Sequence, residues 1–154
     1  MKKSANKEVL KALKGVFEMK LYGPDNVLKD YRLVKNLTVN SGYSRVCEQM
    51  GYTGAQPAAF GFTAVGTDGT GPTTNDVALG SQLEDRHTAG YSSVSVLSWS
   101  NNATFAAGHA TGAIRESGLF NDVSAGFMLC RQTFAVINKG ASDTLVVTWT
   151  YTLS

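Results

Sequence analysis

Residues 145–153 alternate between two kinds of side chain almost without error. The odd-numbered positions are all apolar or aromatic, and valine or threonine fills the even-numbered ones. The odd-numbered set is Leu145, Val147, Trp149, Tyr151 and Leu153. A period of two built from β-branched and aromatic residues is typical of a strand with one buried face. We therefore expect residues 145–153 to form a core strand.

The same period recurs earlier in the chain. Residues 16–22 alternate with Phe17, Met19 and Leu21 as the apolar set. Gly-Pro-Asp-Asn at 23–26 is typical of a turn, and an apolar pattern returns over residues 27–35, so 16–35 is predicted to be a hairpin. Further strands are expected at 60–65, 90–99, 102–107, 111–117 and 126–135. Seven or eight short strands with regular turns indicate an all-β fold, an antiparallel β-sandwich or a jelly-roll-like barrel.

One or two short helices interrupt this pattern. Asn40 and Ser41 are suited to cap a helix that runs to about Met50 and stops at Gly51. Its apolar stripe, which we expect to pack against the sheet, consists of Val39, Tyr43, Val46, Cys47 and Met50. Thr74 or Asn75 could cap a second, shorter helix over residues 76–83.

Charge divides the chain unevenly. Residues 1–35 hold nine basic and four acidic side chains, whereas residues 36–154 hold five basic and eight acidic ones. Residues 1–14 could form a marginal helix that Gly15 ends. This organisation predicts a basic arm at 1–15 and a single sandwich domain at 16–154. The arm either docks on an acidic protein surface or nucleic acid, or is a solvated terminus. Its candidate partner-binding residues are Lys2, Lys3, Lys7, Lys11, Lys14, Leu10 and Leu13.

No sequence motif indicates a leader, a membrane span or a disulfide framework. An apolar h-region does not follow the first lysines, and no run of 18 apolar residues occurs. Cys47 and Cys130 lack metal-ligand spacing, and we expect both to be buried as small hydrophobic side chains. Synthesis in a reducing cytoplasm is the corresponding expectation.

Candidate catalytic residues do not form a recognisable motif. The glycine-rich segment 66–71 has neither the dinucleotide-binding order nor the lysine of a P-loop. His87 and His109 lack a nucleophile elbow and an evident zinc-ligand spacing, and are expected at loops or strand ends. Glu84 and Asp85 are adjacent, so their side chains should point apart. The sequence therefore predicts no enzyme, no metal, no cofactor and no specific nucleic-acid partner.

Glu116 is the polar residue that most needs explanation, because it lies within a predicted strand. Burying a lone carboxylate is costly. Glu116 is therefore expected either to pair with Arg131 or Arg86, or to accept backbone N–H groups from the glycine-rich loop. The alternative is a solvent-facing carboxylate. We treat Glu116 and Arg131 as candidate structural polar residues.

Four ordered groups of segments resemble a family of small virion proteins of tailed bacteriophages. The first is 35–42 (Lys-Asn-Leu-Thr-Val-Asn-Ser-Gly), and the second joins 64–67 (Ala-Val-Gly-Thr), 73–79 (Thr-Thr-Asn-Asp-Val-Ala-Leu) and Arg86. The third is 114–121 (Ile-Arg-Glu-Ser-Gly-Leu-Phe-Asn). The fourth joins 129–134 (Leu-Cys-Arg-Gln-Thr-Phe), 138–140 (Asn-Lys-Gly) and 143–150 (Asp-Thr-Leu-Val-Val-Thr-Trp-Thr). The ordered set, rather than any one segment, carries the resemblance.

The resemblance implies a β-sandwich that acts by binding its neighbours in a virion assembled in the bacterial cytoplasm. Capsid decoration, in which a cement protein bridges major capsid subunits, is the function we expect. A tail, neck or baseplate component is the alternative. Proteins of this kind are often dimers or trimers, so a homo-oligomer with other virion proteins as partners is expected. A carbohydrate-binding module that uses Trp99 or Tyr91 as a stacking platform is a further alternative from the residues themselves.

Overall fold

The computed structural model describes residues 13–154, which form ten strands and one helix. The strands are β1 (Leu13–Tyr22), β2 (Leu28–Lys35), β3 (Leu37–Thr38), β4 (Phe62–Gly66), β5 (His87–Thr88), β6 (Gly90–Ser95), β7 (Ser98–Phe105), β8 (Gly112–Phe120), β9 (Met128–Lys139) and β10 (Thr144–Leu153), and the helix is α1 (Asn40–Gly51). Sheet A has the order β2-β1-β10-β7-β6, and sheet B has the order β3-β9-β8-β4-β5. Both are antiparallel. The predicted all-β sandwich is confirmed.

β10 is the central strand of sheet A, as its alternation predicts. Leu145, Val147, Trp149 and Tyr151 are fully buried, and only Leu153, at the strand end, is exposed. These side chains pack with apolar residues of both sheets in one main core. The indole Nε1–H of Trp149 donates to Thr63 Oγ1 of sheet B at 3.2 Å. This bond joins the two sheets inside the core.

The predicted hairpin at 16–35 is also confirmed, as β1 and β2. Its turn closes through the N–H of Gly23, which donates to the Val27 carbonyl at 2.9 Å, and Asn26 adopts a left-handed φ of 60°. Asparagine tolerates that conformation better than most residues.

The first strand starts earlier than predicted. Leu13 pairs with Leu153, and Gly15 pairs with Tyr151. Leu13 and Lys14 therefore belong to the sandwich, and the prediction that Gly15 ends a helix is wrong. The cause is non-local, because β10 supplies backbone partners that the local sequence does not reveal. The remainder of the predicted helix and arm, residues 1–12, lies outside the described part of the chain.

α1 forms close to its predicted bounds, but only part of its predicted apolar stripe packs inward. Val39, just before the helix, is buried and Val46 is half-buried against the main core, whereas the other three residues are exposed. Met50 is 84% exposed and Cys47 is also exposed. The buried helical residue is Gly42, and a Cβ there would lie 2.4 Å from the Leu129 carbonyl oxygen. α1 thus approaches β9 closely at Gly42, where no side chain intervenes. With 12 residues it is too short to cross a membrane, and residues 13–154 contain no other helix.

The predicted helix at 76–83 is absent, and residues 67–86 form an extended loop over the outer face of sheet B. The N–H groups of Gly80 and Ser81 donate to the Glu116 carboxylate, at 2.9 and 2.7 Å. The side chain of Glu116, distant in sequence, therefore accepts hydrogen bonds from N–H groups that would bond to backbone carbonyls within a helix. Under the covering layer of α1 and this loop lies a second, small core of Val39, Ala64, Phe120 and Met128.

Candidate functional site

Glu116 and Arg131 form the buried polar centre of the molecule. Glu116 is fully buried on β8, and Arg131 Nε donates to its Oε2 at 2.9 Å from the adjacent strand β9. The carboxylate also accepts the N–H groups of Gly80, Ser81 and, at 3.3 Å, Asp68. The predicted pairing of Glu116 with Arg131 is therefore observed. The glycine-rich loop at 66–71 contributes one N–H group, from Asp68, and the two shorter bonds come from Gly80 and Ser81, outside that loop.

Arg131 extends this cluster to two further carboxylates. Its Nη1 donates to Asp76 and its Nη2 donates to Asp68, both at 2.8 Å. Burial acts to lower the pKa of Arg131, but hydrogen bonds to Asp76 and Glu116 outweigh it and raise the pKa. The guanidinium therefore stays charged and fixes the loop at two points. These contacts tie the covering loop to sheet B.

Arg86 is not part of that cluster. Its guanidinium lies 3.6 Å from the centroid of the Phe120 ring and donates to the carbonyl oxygens of Asp122 and Ala125. A cation over an aromatic face is a favourable contact. Arg86 therefore binds the β8–β9 loop and does not pair with Glu116.

An open apolar cleft lies where sheet A extends past sheet B. In sheet A, the row Phe17, Trp149, Asn101 and Tyr91 crosses from β1 to β6 in register. Phe17 and Trp149 are buried, whereas Tyr91 is 70% exposed at the end of this row. The inner face of sheet A is therefore uncovered at its β6 edge. The cleft has a volume of about 490 Å³, and its apolar lining includes Val46, Phe60, Tyr91, Val96, Leu97, Trp99 and Leu153.

The β6–β7 hairpin carries exposed apolar residues at its tip. Val96 is 100% exposed, and Val94 and Leu97 are more than a third exposed. β6 is also an edge strand, paired on one side only within the described chain. Exposed apolar edges and contiguous patches mark interaction surfaces in soluble proteins. The sequence concealed this feature, because residues 91–99 consist of serine and apolar residues and contain no glycine, proline or asparagine to mark the turn.

Asn101 supplies a polar group at the base of the cleft. The residue is buried, and its Nδ2–H donates to the Phe60 carbonyl at 3.1 Å. Its Oδ1 is buried but accepts no hydrogen bond from residues 13–154. Asn101 therefore ties β7 of sheet A to the chain just before β4 of sheet B, and its buried oxygen is not presented to a partner.

The predicted arm residues are only partly described. Leu13 and Lys14 lie in β1 and line a second groove, together with Gly15 and Lys35. Lys2, Lys3, Lys7, Leu10 and Lys11 lie outside the described residues. Because Leu13 pairs with Leu153, the basic segment joins the sandwich beside a residue that lines the cleft.

The two aromatic residues proposed as a sugar platform both line the cleft. Trp99 stacks on Tyr151 with ring centroids 5.2 Å apart and an angle of 18° between the planes. Trp99 is half-buried, whereas Tyr91 is the more exposed of the two.

The cysteines and histidines differ in part from expectation. Cys130 is buried as predicted, but Cys47 is exposed because α1 contacts the sheet through Gly42. His87 lies in β5 and His109 in the β7–β8 loop, in agreement with the prediction of strand-end and loop positions. The fold also brings both histidines beside Glu84, a proximity that their sequence spacing does not indicate. The loop and strand connections that unite them are not visible as a motif.

No family model, no curated protein and no solved structure matches this chain.

Proposed function

We propose that this protein is a structural component of a bacteriophage virion, most specifically a capsid decoration protein that binds the major capsid lattice. The ordered segments described above suggested this family from the sequence. The observation that carries the proposal is the exposed apolar tip of the β6–β7 hairpin beside the open cleft. A surface of this kind is suited to binding protein, and it lies at the edge of sheet A.

The hairpin and the cleft offer complementary kinds of contact. Val96 and Leu97 project apolar surface at the tip, while Tyr91 and Trp99 add aromatic surface within the cleft. The free edge of β6 could add main-chain hydrogen bonds to a partner strand. Together these groups provide affinity from apolar burial and orientation from a few polar contacts.

Repetition compensates for the modest size of the patch. Buried apolar area contributes roughly 25 cal/mol per Å² before the entropic costs of association. A patch of a few hundred Å² thus contributes roughly several kcal/mol per copy. Repeated attachment of an oligomer to a symmetric lattice raises the overall affinity further without new kinds of contact.

The basic segment at the start of the chain is a second element of the proposed interface. Residues 1–12 carry four lysines, Lys2, Lys3, Lys7 and Lys11, against a single acid, Glu8. Such a segment could dock on an acidic neighbouring subunit. Since Leu13 and Lys14 belong to β1, deletion should stop at residue 12 to leave the strand intact. If the shortened protein still occupied its normal number of sites on the particle, the arm would not be part of the interface.

The stoichiometry of this chain in purified virions tests the proposal. Quantitative mass spectrometry should find it in particles, and hundreds of copies per particle would support capsid decoration. A few to dozens of copies would instead support the tail, neck or baseplate alternative. Absence from particles that are otherwise complete would contradict a virion role altogether.

Glycan binding is a second candidate, favoured by the position of Tyr91 and Trp99 on one wall of the cleft. Ser93 and Asn101 lie among these rings and offer hydrogen-bonding groups. A glycan array probed with wild type and with Tyr91→Ala distinguishes this function. Binding that Tyr91→Ala abolishes would support it, and an array without hits would count against it.

A further inference from the structure

Glu84, His87 and His109 converge on one point near the edge of sheet B. One ligating atom from each lies within 4.8 Å of the others. Glu84 Oε1 is 2.8 Å from His87 Nε2 and 3.5 Å from His109 Nδ1. In a tetrahedral zinc site, with bonds of about 2.1 Å, neighbouring ligand atoms are about 3.4 Å apart. The two measured separations lie on either side of that value.

The close approach of Glu84 to His87 is not aligned as a hydrogen bond. Glu84 Oε1 is buried and has no hydrogen-bond partner among residues 13–154, although His87 Nε2 is 2.8 Å away. The ring N–H direction therefore does not point at this oxygen. Such a contact would arise if a lone pair of Glu84 Oε1 and a lone pair of His87 Nε2 both pointed at a third position beside them.

Hydrogen bonds to the other atoms of two ligands fix their orientation. His87 Nδ1 lies 3.1 Å from the Thr104 carbonyl oxygen, and an N–H donated there leaves Nε2 with a free lone pair. Glu84 Oε2 accepts the N–H of Ala110 at 2.7 Å, which leaves Oε1 free. The His87 ring also packs on buried Phe105, with centroids 4.3 Å apart. Outer hydrogen bonds that fix ligand orientation are characteristic of metal sites.

The loop that carries His109 is held in an uncommon conformation. Ala110 is buried with a φ of 47°, in the left-handed region that residues other than glycine rarely adopt. Gly108, on the other side of His109, donates its backbone N–H to the Ala141 carbonyl at 2.7 Å. Backbone strain of this kind persists where surrounding structure enforces it, and it is concentrated at functional sites. Here it places His109 next to Glu84.

We propose that Glu84 Oε1, His87 Nε2 and His109 Nδ1 bind a divalent transition-metal ion of the zinc class. Two imidazoles and one carboxylate are ligands that Zn²⁺ accepts, and three protein ligands leave a fourth position for water or a partner's side chain. The ion joins the edge strand β5 to the β7–β8 loop. This site is independent of the proposed virion function.

The charge of the surroundings favours Zn²⁺ over hard cations. Glu84 contributes a single negative charge, and neutral imidazole is a poor ligand for Mg²⁺ or Ca²⁺. Lys139 also acts electrostatically on Glu84 from within the same region, where its Nζ donates to the Ala106 and Asp143 carbonyls. This ammonium pairs with the chain's own oxygens, so it does not occupy the ligand position.

Calorimetric titration of the full chain with Zn²⁺ tests the site, in a Cys47→Ser background and without an affinity tag. The test variants are His109→Asn and Glu84→Gln, and Asp85→Asn is the control that removes an adjacent carboxylate. Glu84→Gln keeps an acceptor for the Ala110 N–H, and His109 has a side chain 57% exposed, so both should fold. Circular dichroism checks that they do.

One Zn²⁺ should bind per chain, and Co²⁺ in its place should show the intense visible absorption of a four- or five-coordinate complex. His109→Asn and Glu84→Gln should each weaken binding at least tenfold, by analogy with losses at known metal sites, while Asp85→Asn should leave it unchanged. Absence of saturable binding, or binding that both test variants retain in full, would overturn the proposal. In that case Glu84, His87 and His109 lie close together without binding a metal ion.

Discussion

Arg131 on β9 lies diagonally across from Glu116 on β8, and Arg131 Nε donates to the fully buried Glu116 Oε2 at 2.9 Å. The pair does more than neutralise charge within sheet B. Glu116 accepts hydrogen bonds from N–H groups of the covering loop, while Arg131 donates hydrogen bonds to the carboxylates of Asp68 and Asp76. The loop at 67–86 is therefore held in its extended form by two residues of the sheet beneath it.

Glu116→Gln should destabilise the fold by about 3 kcal/mol, because one partner of a buried ion pair loses its charge. The new amide N–H₂ would also face groups that only donate. The free energy of unfolding in denaturant measures the loss. Glu48→Gln is the matched control, since Glu48 pairs with Arg45 on the surface of α1 and such pairs contribute at most about 1 kcal/mol. Equal effects of the two substitutions would contradict a structural role for Glu116.

Gly42→Ala should lower stability by about 1–3 kcal/mol through overpacking, although alanine favours a helix over glycine by about 1 kcal/mol. The added Cβ would lie 2.4 Å from the Leu129 carbonyl, and backbone cannot give way as a flexible side chain does. At Gly51, the last residue of α1, a Cβ meets no atom within 4 Å, so Gly51→Ala should be neutral or slightly stabilising. Thermal unfolding of the two variants makes the comparison, and a stabilised Gly42→Ala protein would show that α1 does not rest on β9.

Stability should fall in acid as the carboxylates around Arg131 are protonated. Hydrogen bonds from the backbone and side chain of Thr70, with help from Arg131, lower the pKa of Asp68. Burial acts to raise the pKa of Asp76, but hydrogen bonds from Arg131 and Thr73 outweigh it and leave the pKa lowered. A lowered folded pKa means that the contribution is complete above the ordinary value of 3.8 and is lost as pH falls through the folded value.

The unfolding temperature of wild type and Asp76→Asn, measured from neutral pH to about pH 3, tests this dependence. Asp76→Asn should be less stable at neutral pH, and the difference from wild type should narrow in acid. A constant difference across the range would show that the ionised form of Asp76 does not stabilise the fold.

The two cysteines should differ sharply in reactivity. Burial raises the pKa of Cys130 to about 12, so its thiolate is scarce at neutral pH as well as inaccessible. Cys47 is exposed on α1. An aromatic disulfide reagent should therefore label one thiol in the native protein and two after denaturation. Cys47→Ser should abolish native labelling, whereas two reactive thiols in the native state would contradict the buried position of Cys130.

Sequence patterns predicted the elements whose stabilising contacts repeat along the strand. The alternation of β10 and the hairpin of β1 and β2 follow from periodicity and turn residues, because each face of those strands meets one environment. The helix expected at 76–83 fails for a non-local reason. Thr74 and Asn75 are residue types that cap helices. Glu116, on a distant strand, nevertheless accepts the hydrogen bonds of the Gly80 and Ser81 N–H groups.

The candidate sites were less predictable than the fold. Glu116 could be identified because a carboxylate within a strand requires a partner, and Arg131 was one of two arginines considered. The Glu84–His87–His109 cluster depends on the β7–β8 loop returning beside β5, which no spacing reveals. The tip at Val96 was predicted to be part of a strand, since no glycine, proline or asparagine marks a turn between Tyr91 and Trp99.

Binding of the purified chain to virions that lack it tests the central claim most directly. Wild type should bind saturably, and Val96→Asp should bind at least tenfold more weakly because a charge at the hairpin tip would be desolvated in the interface. Val77→Asp introduces the same charge at a residue 71% exposed in the loop over sheet B, and should bind like wild type. Undiminished binding of Val96→Asp, or no binding of wild type, would contradict a virion protein that attaches through this hairpin.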